Sequence, residues 1–266
     1  MKTARLLALT LTLTLGLLAS ANAQIVVYQD TFDDGNIATN PGFGGGFSQF
    51  VNGGAGFTEA GGAIDADGST NNNRAYGFST NTFDLSTGFT LDFTASGTDL
   101  GNGSSNRFSV GLAAAGSDFE AFSLSGRNFL GDIRFAHQAV GVDFTTDQVQ
   151  GLDFNDGTGD PLGPAGAVTS LSNAQTITAN TDLAVSLTVA ADGSYSYSIN
   201  GAPATTGAAF GLDLSQEYHF ATYFQDDISE FSISEVTLTA LAPVPEPTSA
   251  ALLGLGGLAL ILRRRK

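Results

Sequence analysis

The sequence predicts an all-β protein whose body is a single antiparallel β-sandwich. Three observations lead there. Short runs of alternating apolar and polar residues recur from Gln24 to Leu241, with no amphipathic helical period among them. Clusters of Gly, Asn and Asp punctuate those runs, and 34 of the 266 residues are Gly. The length and the 42% apolar content suffice for one sizeable core.

The clearest strand signals are Phe89–Ala95, Phe108–Leu112, Leu183–Ala190, Tyr195–Ile199, Tyr218–Phe224 and Phe231–Ala240. In Leu183–Ala190 the residues Leu183, Val185, Leu187 and Val189 share one face, and Ser186 and Thr188 share the other. One core face and one wet face is the antiparallel pattern. Asp192-Gly193 predicts a hairpin whose turn uses positive φ, and Asn200-Gly201 begins another turn. In the last run Phe231 and Ile233 have one parity, while Val236, Leu238 and Ala240 have the other. A β-bulge near Ser234-Glu235 reconciles them. The Gly-rich stretch Pro41–Gly62 contains Phe43, Phe47, Phe50, Val51 and Phe57, so it reads as short strands and ordered loops, not as a linker. Asp153–Gly166 is the expected long loop.

Charge divides the chain into three parts. Six of the ten basic residues lie at the two ends. Between residues 24 and 245 there are four Arg, no Lys and all but one of the 26 acids, a balance of −21. Such a body is a poor match for nucleic acid, which needs clustered cations. The absence of Cys excludes disulfides, thiolate metal sites and a Cys nucleophile. At the N-terminus, Lys2 and Arg5 precede the apolar Leu6–Leu18, and Ala21-Asn22-Ala23 has the A-x-A form of a cleavage site. Residues 1–23 therefore read as a secretory signal peptide, with Gln24 beginning the mature chain. The body spans residues 24–242. In residues 243–266, three prolines precede an uninterrupted apolar run, Ala250–Leu262, which ends on Arg263, Arg264, Arg265 and Lys266. Thirteen helical residues rise about 20 Å, short of a hydrocarbon core of about 30 Å. Counting from Thr248 and letting the arginines snorkel makes a short transmembrane helix feasible, with its basic end cytoplasmic. A short buried helix is the rival on physics alone.

The order Val244-Pro245-Glu246-Pro247, apolar helix, Arg cluster resembles the PEP-CTERM sorting signal of bacterial exported proteins. That resemblance implies recognition by an exosortase and processing near Pro245, Glu246 and Pro247. It also implies association with extracellular polysaccharide and biofilm. The body resembles the concanavalin A-like, laminin-G-like jelly roll through YQDTFDDG, FDLSTGFTLDF, NRFSVGL, SLTVAADGSYSYSING and ISEFSISEVTLTAL. That fold implies pairing of the first and last strands.

The search for chemistry is mostly negative. Relatives of this fold that cleave glucans carry E-x-D-x-x-E on one strand, and no such motif occurs here. The acids of Glu59–Asp67 are too far apart, and Glu230 and Glu235 read as structural. The two histidines, His137 and His219, have no metal-binding spacing, and no G-x-S-x-G elbow is present. The densest oxygen-donor stretch is Asp153, Asn155, Asp156 and Asp160, a candidate calcium loop. Asp65-Ala66-Asp67-Gly68 and Asp30–Asp34 are lesser candidates, and all three also suit turn formation. Tyr195 and Tyr197 read as core, which leaves Tyr76, Tyr218 and Tyr223 as candidate sugar platforms. The expected function is a non-enzymatic surface or matrix protein that contacts polysaccharide. The alternatives are a secreted glycosidase or lyase of the same fold and a calcium-dependent adhesion module.

Overall fold

The computed structural model describes residues 24–39, 44–52, 56–66, 74–97, 107–115, 138–145, 148–155, 169–170, 175–176, 181–202, 205–207, 213–225 and 231–241. Apart from Gln24, these belong to one compact unit, Ile25–Leu241. The described residues contain no helix and form two antiparallel sheets, the all-β jelly-roll sandwich that the sequence predicts.

The strands are β1 (Gln24–Asp30), β2 (Phe47–Asn52), β3 (Phe57–Ala60), β4 (Ala63–Ala66), β5 (Arg74–Ser79), β6 (Phe83–Asp84), β7 (Gly88–Gly97) and β8 (Arg107–Ala114). They continue with β9 (Gln138–Thr145), β10 (Gln148–Asn155), β11 (Thr169–Ser170), β12 (Gln175–Thr176), β13 (Leu183–Ala190), β14 (Tyr195–Ile199), β15 (Thr205–Gly207), β16 (Glu217–Gln225) and β17 (Phe231–Leu241). One sheet runs β15-β14-β13-β7-β17-β4-β3, with β1 also on β17. The other runs β11-β10-β9-β8-β16-β5-β2, with β12 on β10 and β6 on β16. The first and last strands pair, as the fold resemblance implies.

Period-2 alternation builds the core between the sheets. From the eight-stranded sheet come Phe89, Leu91 and Phe93, then Leu183, Val185, Leu187 and Val189, all buried. Tyr195 and Tyr197 are core residues as expected. Aromatic pairs tie one sheet to the other. Tyr28 of β1 stacks on Phe220 of β16 at 5.3 Å, and Phe108 of β8 stacks on Phe231 of β17 at 3.5 Å. Phe57 of β3 meets Phe224 of β16 edge-on at 5.0 Å. Such pairs add to the free energy of apolar burial.

The turns follow residue chemistry. At Asn200-Gly201 both residues have positive φ (51° and 68°), and the Ala202 N–H donates to the Ile199 carbonyl at 2.9 Å, as a primed hairpin turn requires. At Asp192-Gly193 only Gly193 is left-handed (φ 79°), so this turn uses one positive φ where the dipeptide suggests two. The Asp192 carboxylate explains the difference. It accepts the Ser194 N–H at 2.9 Å and the Ser194 hydroxyl at 2.6 Å, which fastens the turn from outside.

The predicted bulge is present. Ser234 pairs with Thr94 and Thr237 with Asp92, so two residues of β17 oppose one of β7. Glu235 takes φ 53°, is exposed, and lets Phe231, Ile233, Val236, Leu238 and Ala240 all reach the core.

At the end of β1 a buried carboxylate, Asp30, accepts the Tyr28 hydroxyl at 3.2 Å and the Phe32 N–H at 3.0 Å. Glu59 of β3 then clamps the following loop by accepting the N–H groups of Asp34 (3.1 Å) and Gly35 (2.9 Å). Asp34 in turn accepts the Asn36 N–H and the Thr39 hydroxyl. Burial pushes the Asp30 carboxyl above the usual carboxylate range, and the Asp34 and Asp33 anions add to it. Burial also raises Glu59, whereas the Thr39 hydroxyl holds Asp34 low.

Two predictions follow from these features. A left-handed residue other than Gly costs about 1–2 kcal/mol, so Glu235→Gly should leave denaturant stability unchanged or up to about 1 kcal/mol higher. Glu235→Val should lower it by about 1–2 kcal/mol through β-branching at the same φ. Asp30 binds its proton more tightly folded than unfolded, so its contribution is complete below the ordinary carboxylate pKa and is lost as pH rises through the elevated folded value. Asp30→Asn should therefore gain stability relative to the native chain as pH rises above about 4. Parallel pH curves for the two chains would contradict the burial assigned to Asp30.

Candidate functional site

The alternation that fills the core leaves a second set of residues on the outer face of the eight-stranded sheet. That set is almost entirely Ser and Thr. Strand register aligns it into rows. One row crosses Thr206, Ser196, Thr188, Thr90 and Thr239. The next crosses Ser198, Ser186, Asp92 and Thr237. Beyond the bulge a further row crosses Ser96, Ser232, Asp65 and Thr58. Most of these side chains are partly or fully exposed, with Thr239 the buried exception. Neighbouring hydroxyls bond to each other: Thr90 with Thr188 at 3.1 Å, and Ser96 with Ser232 at 2.7 Å. Each hydroxyl has one proton and two lone pairs, so a mutual bond leaves acceptor capacity on both oxygens. Sheet geometry sets these groups about 4.8 Å apart between strands and about 6.7 Å apart along one. None of these rows contains Lys, Arg or an aromatic residue.

The nine-stranded sheet presents a different outer face. Tyr76 and Tyr223 stack there at 4.7 Å and are fully buried, with Ala221, Ser109 and Ala113. Tyr218 has the opposite parity, points into the core and donates its hydroxyl to the Asp213 carbonyl at 2.9 Å. The three tyrosines left as sugar platforms are thus all buried, and none is an open stacking surface. Alternation says which side of a strand a ring lies on, but not whether something covers that side. His219 is half-buried, opposite in parity to Phe220 as expected, and meets Phe78 edge-on at 5.7 Å. Its Nδ1 donates to the Ser79 carbonyl at 2.7 Å, since a carbonyl can only accept. Ser79 completes a polar knot by accepting the Phe220 N–H at 3.0 Å and donating to the Asn81 carbonyl at 2.8 Å.

The calcium candidates lie only partly among the described residues. The backbone of Asp153 and Asn155 lies in β10, opposite Val140 and Gln138, so the expected loop begins later than the sequence suggests. Asp156 and Asp160 lie outside the described residues, as do His137, Glu230, Ala21, Ala23, Pro245, Glu246 and Pro247. Asp65 lies in β4 with its carboxyl raised by burial. The carboxylates of Asp34 and Glu59 are occupied with loop N–H and hydroxyl groups. Among the described residues no group of three or more His, Asp or Glu is placed to hold a metal ion. No described helix is long and apolar enough to cross a membrane, and the Ala250–Leu262 segment is outside the described residues.

Residues 243–266 match the family described as the PEP-CTERM protein-sorting motif. No protein of curated function matches the sequence. Solved structures match the fold. The carbohydrate recognition domain of Emp47p is 15% identical, covers 80% of this chain and 95% of its own, and has a TM-score of 0.53. A protein from work on endo-acting O-glycanases, which gut bacteria express to initiate mucin breakdown, is 10% identical over 81% of this chain and 99% of its own, with a TM-score of 0.56. A protein of unknown function from Shewanella oneidensis is 12% identical over 87% and 93%, with a TM-score of 0.51. The chain thus joins a jelly-roll body to a C-terminal PEP-CTERM motif, which marks it as the membrane-anchored precursor of a bacterial surface protein processed by an exosortase.

Proposed function

We propose that this protein is a non-enzymatic component of the bacterial surface or extracellular matrix, and that it contacts extracellular polysaccharide through the hydroxyl rows of its eight-stranded sheet. Those rows carry the reading. They offer many weak donors and acceptors at a regular spacing, complementary to a polymer that is itself covered in hydroxyls. Multiple weak contacts along one chain raise overall affinity by effective concentration. The body's charge of −21 directs the choice toward neutral polymers, because acidic ones are repelled. The fold shared with a carbohydrate recognition domain is consistent with this use. The non-enzymatic reading draws support from Asp34 and Glu59, whose carboxyls face each other but accept loop N–H and hydroxyl groups that fasten the segment after β1.

Two experiments test the two halves. In native gels containing hydroxyethylcellulose, a neutral polysaccharide, the full chain in nonionic detergent should migrate more slowly than in plain gels. Thr90→Val with Thr188→Val should remove that retardation with little change in the melting midpoint, since Val keeps the shape and β-branch of Thr without its hydroxyl. Equal migration of the native chain in both gels would end the glycan reading, and release of reducing ends from the polymer would make the protein an enzyme. For sorting, deletion of Pro245, Glu246 and Pro247 should leave unprocessed precursor in the membrane fraction of a host that carries an exosortase. Undiminished surface display of the deletion chain would refute exosortase processing.

A further inference from the structure

A groove of about 720 Å³ runs between β1 and the segment Thr80–Asp84, and none of its lining residues belongs to the hydroxyl rows. Its β1 wall consists of three consecutive residues, Ile25, Val26 and Val27. Consecutive residues of a strand point to opposite faces, so a groove touching all three follows the edge of the strand. Among the described residues β1 pairs with β17 alone. Ile25 is 57% exposed and Val26 39%, and they are the exposed large hydrophobics among the described residues. An apolar strand edge of this kind is a template for pairing with another extended chain.

The opposite wall supplies charge. Asp84 lines the groove, and no Lys, Arg or His does. Asp84 and Glu217 are directly opposed partners of the β6–β16 ladder, and both are exposed. Like charges in that position destabilise a sheet. Both accept hydrogen bonds from local neutral donors: the Ser86 N–H on Asp84 at 2.9 Å, and the Thr82 hydroxyl on Glu217. A cation brought to this wall would relieve the repulsion.

We infer that the β1 groove is a docking site for an extended peptide segment of another protein, one that alternates aliphatic and basic residues and adds to β1 as a strand. Main-chain hydrogen bonds supply the affinity in this mode, and side-chain pockets supply the choice of partner. Aliphatic side chains cover Ile25 and Val26, while a Lys or Arg reaches Asp84 and Glu217. A second copy of this chain is the weaker occupant, because two bodies at −21 repel.

The test is a fluorescence anisotropy titration of the full chain, in nonionic detergent at low salt, with labelled acetyl-(Val-Lys)₄-amide and acetyl-(Val-Glu)₄-amide. The Lys peptide should bind, and the Glu peptide should bind at least about tenfold more weakly. Two variants should each weaken the Lys peptide by about tenfold or more: Asp84→Asn with Glu217→Gln, which removes the anions, and Ile25→Lys with Val26→Lys, which replaces exposed side chains and repels the probe. Absence of binding overturns the proposal, as does binding that neither variant alters. Sedimentation without peptide distinguishes the other occupant: a dimer dissociated by Ile25→Lys with Val26→Lys makes the groove a self-association surface and overturns the peptide reading.

Discussion

The fold depends on β17. It pairs with β7 along one edge and with β4 and β1 on the other, so the eight-stranded sheet is continuous only when the last strand is in place. It also contributes five core side chains, and its Phe231 stacks on Phe108 of the facing sheet. All of its pairings are distant in sequence, so chain-entropy costs are met before these contacts form. The bulge at Glu235 is what allows one strand to serve both halves of the core, because without the extra residue either Phe231 and Ile233 or Val236, Leu238 and Ala240 would face solvent.

The two sheets use their outer faces in opposite ways. The nine-stranded sheet buries Tyr76, Tyr223, Ala221 and Ser109 on its outer side and so behaves as a layer covered on both faces. The eight-stranded sheet keeps its outer side polar, with hydroxyls that bond to each other across strands. A face of this kind is soluble without being strongly charged, which accounts for a chain with only 14% charged residues. Three described acids sit at turns and loops, where Asp192, Asp213 and Asp34 accept nearby N–H and hydroxyl groups. They act there as fasteners, and their abundance alone does not make a metal site.

Much of this was legible in the residues. The parity change between Ile233 and Val236 located the bulge, and Asn200-Gly201 located a primed turn, because both are local requirements of backbone geometry. What was not legible depends on distant partners. Asp153 and Asn155 look like loop formers, yet β9 draws them into a ladder, since strand preference follows pairing more than identity. Tyr76 and Tyr223 alternate like exposed rings but lie under cover. The hydroxyl rows needed the register of five strands before they became a surface, and no single run shows them. The edge groove likewise joins Ile25 and Val26 to Asp84, across nearly sixty residues of sequence.

The ends of the body and the ends of the chain fit together as a design for processing. The first strand begins at Gln24, where the signal peptide is read to end, and the last strand closes at Leu241, just before the sorting motif of residues 243–266. Cutting at either place leaves every described residue of β1 and β17 in the body, so the −21 body keeps both closing strands while losing the basic ends. The most direct test is the intact mass of the protein recovered from the surface of a bacterium that carries an exosortase. The predicted species begins at Gln24 and ends within residues 243–266, without the Arg263–Lys266 cluster. A surface form that still ends at Lys266 would contradict the account.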